Sequence, residues 1–268
     1  MPHPAAPLPL IVITVSDPAR QGDPALAARK NELYAAETAR HGGTPALLDP
    51  ATPAPERARL LGEMNGLLLS GGADIDPALY GEAVAGAADT DRDRDELEQA
   101  AWREAERRSL PVFGICRGLQ AVNVFSGGKL LQDVPDHAGT PYGKGPAHTH
   151  DLEIEPASRI GRLVAAAAPD GVAAGDEDDS ALQLQVNTYH HQAVTAAGLA
   201  PGLRATAWAY SEAGRLVEGL ESGDGRWIVA VQCHPERTES TPEELDGLWT
   251  GFVEAAALAR TARTSGAR

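Results

Sequence analysis

The sequence predicts an α/β fold in three layers, α/β/α, around a mostly parallel, flavodoxin-like sheet with an antiparallel extension toward the C-terminus. Two patterns lead to this prediction. Apolar runs of strand length alternate with amphipathic helical patterns through the first half, and closely spaced strand patterns follow at 204–232. The composition, 43% hydrophobic and 23% charged over 268 residues, suffices for the core of one large domain, here residues 1–268.

The alternation begins at residues 8–15, LPLIVITV, a β-branched run typical of a strand buried on both faces. The next helix starts at Asp23-Pro24, because Asp caps helices and Pro fits their first turn, and ends at Gly42-Gly43. Further strands are predicted at 45–48, 66–69 and 111–115, and further helices at 55–64, at 93–109 and after residue 116. The charge run at 89–98 predicts a solvated helix start.

The second half has a different texture. Residues 135–146 are rich in Gly, Pro and His, which predicts an extended loop. Strands are predicted at 152–154, 204–210, 216–220 and 227–232, and a closing helix at 242–262. Residues 1–7 predict a disordered tail, and the alanine-rich, then acidic residues 165–179 predict a mobile surface segment.

Residues 111–128, PVFGICRGLQAVNVFSGG, carry the strongest functional signal. The strand pattern ends in Gly114-Ile115-Cys116-Arg117-Gly118 and turns directly into a helix, the sulfur version of a nucleophile elbow. Glycines are needed where such a turn brings backbone too close for a side chain. A helix N-terminus beside the thiol favours the thiolate, which is the attacking form. We therefore favour Cys116 as a nucleophile over the alternative, a buried core cysteine.

A cysteine nucleophile needs a base, and the base needs an orienting carboxylate. Residues 232–236, QCHPE, supply both after a buried strand. His234 and Glu236 are two residues apart, so they lie on the same side of an extended backbone, and Cys233 faces the core. Each residue alone allows a simpler interpretation, a capped histidine or a solvated carboxylate. Together they predict a triad of Cys116, His234 and Glu236.

Acyl transfer also needs N–H donors for the developing oxyanion. The backbone N–H of Arg117 is first in the elbow helix. The turn Ser70-Gly71-Gly72 ends another strand and offers a second N–H, since glycine lets backbone approach a ligand closely. Taken alone, this turn is equally an ordinary strand-to-loop connection.

The elbow GICRGLQ, the Ser-Gly-Gly turn and the His-Pro-Glu end together resemble the class I glutamine amidotransferase superfamily. Residues 70–82, 114–134 and 187–194 are similar to its γ-glutamyl-γ-aminobutyrate hydrolase branch, peptidase family C26. The resemblance implies the same triad and an oxyanion hole formed by the amides of Gly72 and Arg117. It also implies that the substrate is contacted by Gln120, His190, His191 and Gln192.

The implied reaction is hydrolysis of a γ-glutamyl amide through a thioester, with γ-glutamyl-γ-aminobutyrate as the expected small-molecule substrate. Three alternatives stay open. The first is a glutaminase subunit that delivers ammonia to a synthetase partner. The second is a catalytically silent binding module of the same fold, and the third is a hydrolase of another γ-glutamyl compound such as a polyamine conjugate. Loops 75–88 and 135–150 are expected to hold the departing amine.

No cofactor is expected. No metal is expected either, because the spacings among five histidines match no zinc pattern. The five are His137, His148, His150, His190 and His191. The net charge of −15 argues against nucleic acid as a partner. The apolar run at 8–15 is too short for a membrane span. Two cysteines, one of them with a chemical role, indicate a reducing, cytoplasmic setting. A homodimer is left open, since no residue demands one.

Overall fold

The computed structural model describes residues 7–168 and 181–266. Its strands are β1 (Leu10–Thr14), β2 (Thr44–Leu48), β3 (Gly66–Leu69), β4 (Val112–Ile115), β5 (His148–Ile154), β6 (Leu182–Thr188), β7 (Val194–Thr195), β8 (Leu203–Ser211), β9 (Gly214–Ser222) and β10 (Ile228–Val231). Its α-helices are α1 (Pro24–Arg40), α2 (Ala54–Glu63), α3 (Arg92–Arg107), α4 (Arg117–Phe125), α5 (Arg159–Ala167) and α6 (Asp246–Gly266).

Within these residues the strands form one mixed sheet in the order β2-β1-β3-β4-β10-β9-β8-β5-β6, with β7 paired to β9. The pairs from β2 through β10 are parallel. Because parallel strands present their carboxyl ends at the same edge, the segments after β3, β4 and β10 meet there. These segments hold the Ser-Gly-Gly turn, the cysteine elbow and the His-Pro-Glu sequence.

The second half of the sheet is antiparallel. β10 pairs antiparallel with β9, β9 with β8, β8 with β5 and β5 with β6. The predicted α/β fold with a C-terminal antiparallel extension is therefore confirmed. β10 is the last strand in sequence, yet it lies in the middle of the sheet, parallel to β4 on one side and antiparallel to β9 on the other.

Helices cover both faces of the sheet. α2, α3 and α4 pack on one face in a core that includes Val12 of β1 and Trp102 of α3. α1, α5 and α6 pack on the other face in a core that includes Ile13 of β1 and Trp249 of α6. Adjacent residues of β1 thus enter opposite cores, as expected for a strand buried on both sides. Trp249 also packs edge-on against Phe113 of β4, with ring centroids 5.3 Å apart.

The sequence places most elements within a few residues of their observed bounds, and β3 matches fully. It misses α5 and β6. The outer half of β6 is partly exposed and rich in polar residues, so it lacks the apolar run of a central strand. The predicted mobile segment at 165–179 is wrong for residues 165–167, which form the last turn of α5, and its part from 169 onward lies outside the described residues. Of the predicted tail, residues 1–6 also lie outside them.

In the part of the chain that the structure describes, no helix combines the length and the apolarity that crossing a membrane requires.

Gly118 shows how tightly the parallel half is packed. A Cβ atom at this position would lie 1.9 Å from the carbonyl oxygen of Leu69, which is backbone and cannot swing away. We expect Gly118→Ala to lower the free energy of unfolding by about 1–3 kcal/mol or more, measured by urea denaturation. The matched control is Gly62→Ala in α2, where a Cβ meets nothing within 4 Å. An unchanged urea midpoint in Gly118→Ala would contradict this packing.

Candidate active site

The elbow between β4 and α4 places Cys116 in a strained backbone conformation. Its φ of 55° and ψ of −108° lie outside the regions that residues with side chains favour. The backbone N–H of Cys116 donates to the carbonyl of Val231 at 2.8 Å, which ties the elbow to the end of β10. Gly114 and Gly118 pack against each other so closely that a Cβ on Gly114 would lie 2.7 Å from the Gly118 carbonyl oxygen. The predicted need for glycine at both positions is confirmed.

The structure brings Cys116, His234 and Glu236 together. Nδ1 of His234 lies 2.6 Å from Oε1 of Glu236, and both side chains are buried. Because a carboxylate only accepts, Nδ1 carries the hydrogen and Nε2 is left for another partner. The His234 ring lies beside the Cys116 thiol in the lining of the same cavity, close enough to lower the pKa of that thiol. The histidine therefore stands between the thiol and the carboxylate.

Asn187 fixes the backbone of His234 and was missed by the sequence reasoning. The N–H of His234 donates to Oδ1 of Asn187 at 2.8 Å, and Nδ2 of Asn187 donates to the carbonyl of His234 at 3.1 Å. The side chain of Thr241 donates to the same carbonyl at 2.9 Å. Asn187 lies in the stretch 187–194, which the sequence marks only by resemblance.

The electrostatics of the three groups favour an ion pair. Burial raises the pKa of the Cys116 thiol, but the neighbouring His234 and Arg237 lower it by more, so the net shift is downward. Burial and Arg237 lower the pKa of His234, whereas Glu236 and Cys116 raise it by more. Burial raises the pKa of Glu236, but His234, together with Arg237, lowers it by more and holds it below its usual range. The pKa of the thiol thus moves down and that of the imidazole moves up, which is the direction that favours a thiolate.

Two backbone amides near the thiol are without an acceptor. The N–H of Gly71 is engaged by the Tyr34 hydroxyl at 3.1 Å. By contrast, the N–H groups of Gly72 and of Arg117, the first residue of α4, meet no acceptor among the described residues. Both are therefore available to a ligand, as the first N–H groups of a helix usually are.

A buried ion-pair network lies beneath these amides. The Arg117 guanidinium pairs with Asp95 and Glu98, and Nε of Arg94 lies 3.0 Å from Oε1 of Glu98. Nη2 of Arg94 also donates to the carbonyls of Ser70 and Gly71, at 3.1 and 3.0 Å. Each of the four charged side chains belongs to a residue at most 1% exposed. The prediction of a solvated helix start at 89–98 is therefore wrong for residues 94, 95 and 98.

A cavity of about 440 Å³ opens beside Cys116 and His234. Lys30, Tyr142, Tyr189 and Arg237 are among the residues that line it. The Arg237 guanidinium lies over both tyrosine rings, 4.5 Å from the Tyr142 centroid and 4.0 Å from the Tyr189 centroid. Its Nε and Nη1 donate to no acceptor among the described residues, and the Oε1 atom of Glu236 is 3.5 Å from Nε. The lining of the cavity thus includes two basic residues, Lys30 and Arg237, next to the thiol.

The four residues expected to contact substrate lie elsewhere. Nε2 of Gln120 donates to the Gln192 carbonyl at 3.0 Å, and Nδ1 of His190 lies 3.0 Å from the same oxygen. Nε2 of His191 is 3.0 Å from a carboxylate oxygen of Asp74. In the described part of the chain, the lining of the cavity includes none of the four, and their role in substrate binding stays a prediction. Loop 135–150 does contribute to the lining, through Ala138, Pro141 and Tyr142.

Three of the five histidines whose spacings match no zinc pattern lie close together in the structure. The fold brings His137, His150 and His190 together with Glu218, a residue that the sequence reasoning did not consider. His148 is exposed on β5. This cluster is distinct from the cavity, since none of its members lines the cavity.

A cysteine elbow after one central parallel strand, with a histidine–glutamate pair after the adjacent strand, defines a glutamine amidotransferase-like protein. In agreement, the glutaminase domain of Trypanosoma brucei CTPS with bound acivicin shares the fold, with a TM-score of 0.56 at 18% identity over 92% of this chain and 93% of that one. The chain belongs to the peptidase C26 family, whose family model matches residues 9–236.

The proteins that resemble most of this chain include the following two. Protein NtpR of Enterococcus hirae is 36% identical over 220 residues, which are 79% of this chain and 83% of its own length. The γ-glutamyl-γ-aminobutyrate hydrolase PuuD of Escherichia coli K12 is 29% identical over 225 residues, 80% of this chain and 81% of its own length.

The two cysteines provide a test of the site that does not require a substrate. Burial raises the pKa of the Cys233 thiol well above its ordinary value, whereas that of Cys116 is lowered. We expect iodoacetamide at neutral pH to label Cys116 and not Cys233 in the native protein, as read by peptide mass spectrometry. Labelling should slow as the pH falls, because the thiolate is protonated. His234→Gln should move this profile to higher pH. Equal labelling of both thiols would contradict the assignment.

Proposed function

We propose that this protein hydrolyses the γ-glutamyl amide bond of small γ-glutamyl compounds through a Cys116 thioester. The observation that carries the proposal is the 2.6 Å contact between Nδ1 of His234 and Oε1 of Glu236, which leaves Nε2 of the same ring for the thiol. Membership of the peptidase C26 family supports a hydrolase. The free Cys116 thiol suits a reducing compartment, which we take to be the cytoplasm.

In the first half-reaction, the Cys116 thiolate attacks the γ-carbonyl carbon of the substrate. A carbon–sulfur bond forms and the carbonyl electron pair moves onto oxygen. The N–H groups of Gly72 and Arg117 then donate to this oxyanion. The intermediate collapses with cleavage of the carbon–nitrogen bond, and the departing amine takes the proton from Nε2 of His234. The product of this step is a γ-glutamyl thioester on Cys116.

In the second half-reaction, water attacks the thioester carbonyl and gives its proton to Nε2 of His234. The Cys116 thiolate leaves and glutamate is released. Glu236 stays ionised throughout, because its pKa is held low, and it orients the ring and stabilises the imidazolium. The chemistry needs no group beyond these side chains and the two amides.

The cavity supports γ-glutamyl-γ-aminobutyrate as the substrate. Arg237 and Lys30 are basic residues that line the cavity beside the thiol, and positive charge there suits a carboxylate. The γ-aminobutyrate end of this substrate carries a carboxylate, whereas the amine end of γ-glutamyl-putrescine carries a positive charge. The name of the E. coli relative points to the same compound.

We expect the wild-type protein to release glutamate from γ-glutamyl-γ-aminobutyrate well above its rate on glutamine or γ-glutamyl-putrescine, measured by a coupled glutamate assay. Cys116→Ala removes the nucleophile and should abolish release from all three. Cys233→Ala is the matched control and should retain activity. Turnover of glutamine alone would instead indicate a glutaminase subunit. No release from any of the three by folded protein would contradict the proposal.

Arg237→Met tests recognition of the carboxylate. A charge-assisted hydrogen bond contributes about 1.5–3 kcal/mol, so the KM for γ-glutamyl-γ-aminobutyrate should rise about 10–100-fold. The KM for an uncharged amide such as γ-glutamyl-propylamide should rise less. Arg204→Met removes an equal charge from an exposed pair with Glu155 and is the control. Equal losses on both substrates would show that Arg237 acts on the triad rather than on the leaving group.

A further inference from the structure

Four side chains from separate parts of the fold converge beside the cavity, without being part of its lining. His137 ends the short turn 135–137, His150 lies on β5, His190 follows β6 and Glu218 lies on β9. One nitrogen or oxygen atom from each lies within 4.8 Å of all the others. The side chains of His137, His190 and Glu218 are at most 4% exposed, and that of His150 is 14% exposed.

The atoms that face one another in this group have no hydrogen-bond partner among the described residues. This is true of both carboxylate oxygens of Glu218 and of Nε2 in His150 and His190. Nε2 of His190 lies 3.6 Å from Oε1 of Glu218, and Nε2 of His150 lies 3.7 Å from Oε2. These distances exceed those of hydrogen bonds. Buried polar atoms without partners are rare in native proteins and call for an occupant.

The positions of the hydrogens on the His150 and His190 rings indicate what kind of group would bind between these side chains. Nδ1 of His150 is 3.0 Å from the Asp151 carbonyl oxygen, and Nδ1 of His190 is 3.0 Å from that of Gln192. A carbonyl only accepts, so Nδ1 carries the hydrogen and Nε2 directs a lone pair into the cluster. Lone pairs on nitrogen therefore face carboxylate oxygens, and a cation satisfies both. Metal-bound histidines commonly donate their second N–H to a carbonyl in this way.

We propose that His137, His150, His190 and Glu218 bind one zinc ion in a closed, tetrahedral, structural site. Three imidazoles and one carboxylate are ligands that suit zinc, and four protein ligands leave no open position for a substrate. Ligands about 2.0–2.1 Å from a tetrahedral ion lie roughly 3.3–3.4 Å apart. The two nitrogen–oxygen separations of 3.6 and 3.7 Å need shifts of a few tenths of an ångström, and the other separations, all within 4.8 Å, need to shorten by about 1.5 Å at most.

The electrostatic surroundings agree with this assignment. Burial lowers the pKa of His190 to about 3, so the ring stays neutral, as a metal ligand must be. Burial raises the pKa of Glu218 to about 8, the nearby Cys116 adds to this rise, and neither carboxylate oxygen has a hydrogen-bond partner among the described residues. A second group, Glu37, His41 and Asp246, differs in this respect, since Arg40 pairs with both of its carboxylates.

The zinc content of this chain, prepared without an affinity tag, tests the proposal. After loading with Zn²⁺ and exhaustive dialysis, we expect about one zinc per chain by inductively coupled plasma mass spectrometry. Cobalt in its place should give the intense visible absorption of a tetrahedral ion, without the near-ultraviolet band of a thiolate ligand. Removal of zinc by dipicolinate should lower the Tm, and added Zn²⁺ should restore it.

His150→Gln and Glu218→Gln should each weaken zinc binding at least about tenfold and abolish the cobalt absorption. His148→Gln is the matched control, two residues away on the same strand and exposed, and should bind zinc normally. Because His150 lies at the edge of the cluster, its variant is expected to fold even if Glu218→Gln does not.

Two results would overturn the proposal. Less than about 0.1 zinc per chain and no cobalt absorption in folded wild-type protein would mean that a protonated Glu218 occupies the cluster without metal. One zinc per chain retained in both variants would place the metal at other residues. Neither result depends on glutamate release, so the zinc site and the proposed hydrolase activity stand or fall separately.

Discussion

The site depends on two guanidinium groups and two carboxylates buried together. Arg94 and Arg117 face Asp95 and Glu98, and the network is closed by carbonyls of the turn after β3. Buried charges are stable only when they are paired, so removing one partner of such a pair typically costs about 3–5 kcal/mol. The network joins α3 to the elbow helix and to the Ser-Gly-Gly turn. It thereby fixes the two free amides relative to each other.

The strand order explains how the thiol meets the histidine across a long stretch of sequence. Ile115 of β4 pairs with Val231 of β10, so Cys116 and the residues after β10 emerge side by side. In sequence, all strands of the antiparallel half come before β10. This half holds the histidine in place because Asn187 of β6 makes two hydrogen bonds to the His234 backbone. Each half of the sheet therefore contributes to the candidate site.

Local signals in the sequence predict the parallel half, the elbow and the His-Pro-Glu segment, because each depends on neighbouring residues and on backbone geometry. The burial of a polar residue depends on partners that are distant in the sequence. The local sequence around Arg94 and Glu98 therefore predicts a solvated helix, and only the folded structure brings Arg117 and the carbonyl of Ser70 into contact with them. The histidine cluster forms only through the pairing of β5, β6, β8 and β9, which no spacing in the sequence records. Asn187 is equally invisible, since its partner lies on a distant segment.

The positive φ of Cys116 means that conformational stability and the proposed chemistry favour different residues at position 116. A residue with a Cβ atom in such a conformation typically carries about 1–3 kcal/mol of strain, which glycine would not. For stability alone, glycine is the better residue at 116; for attack on a carbonyl, only a residue with a nucleophilic side chain serves. Under the proposed function, the strain at Cys116 is the energetic cost of holding a nucleophilic side chain at this turn.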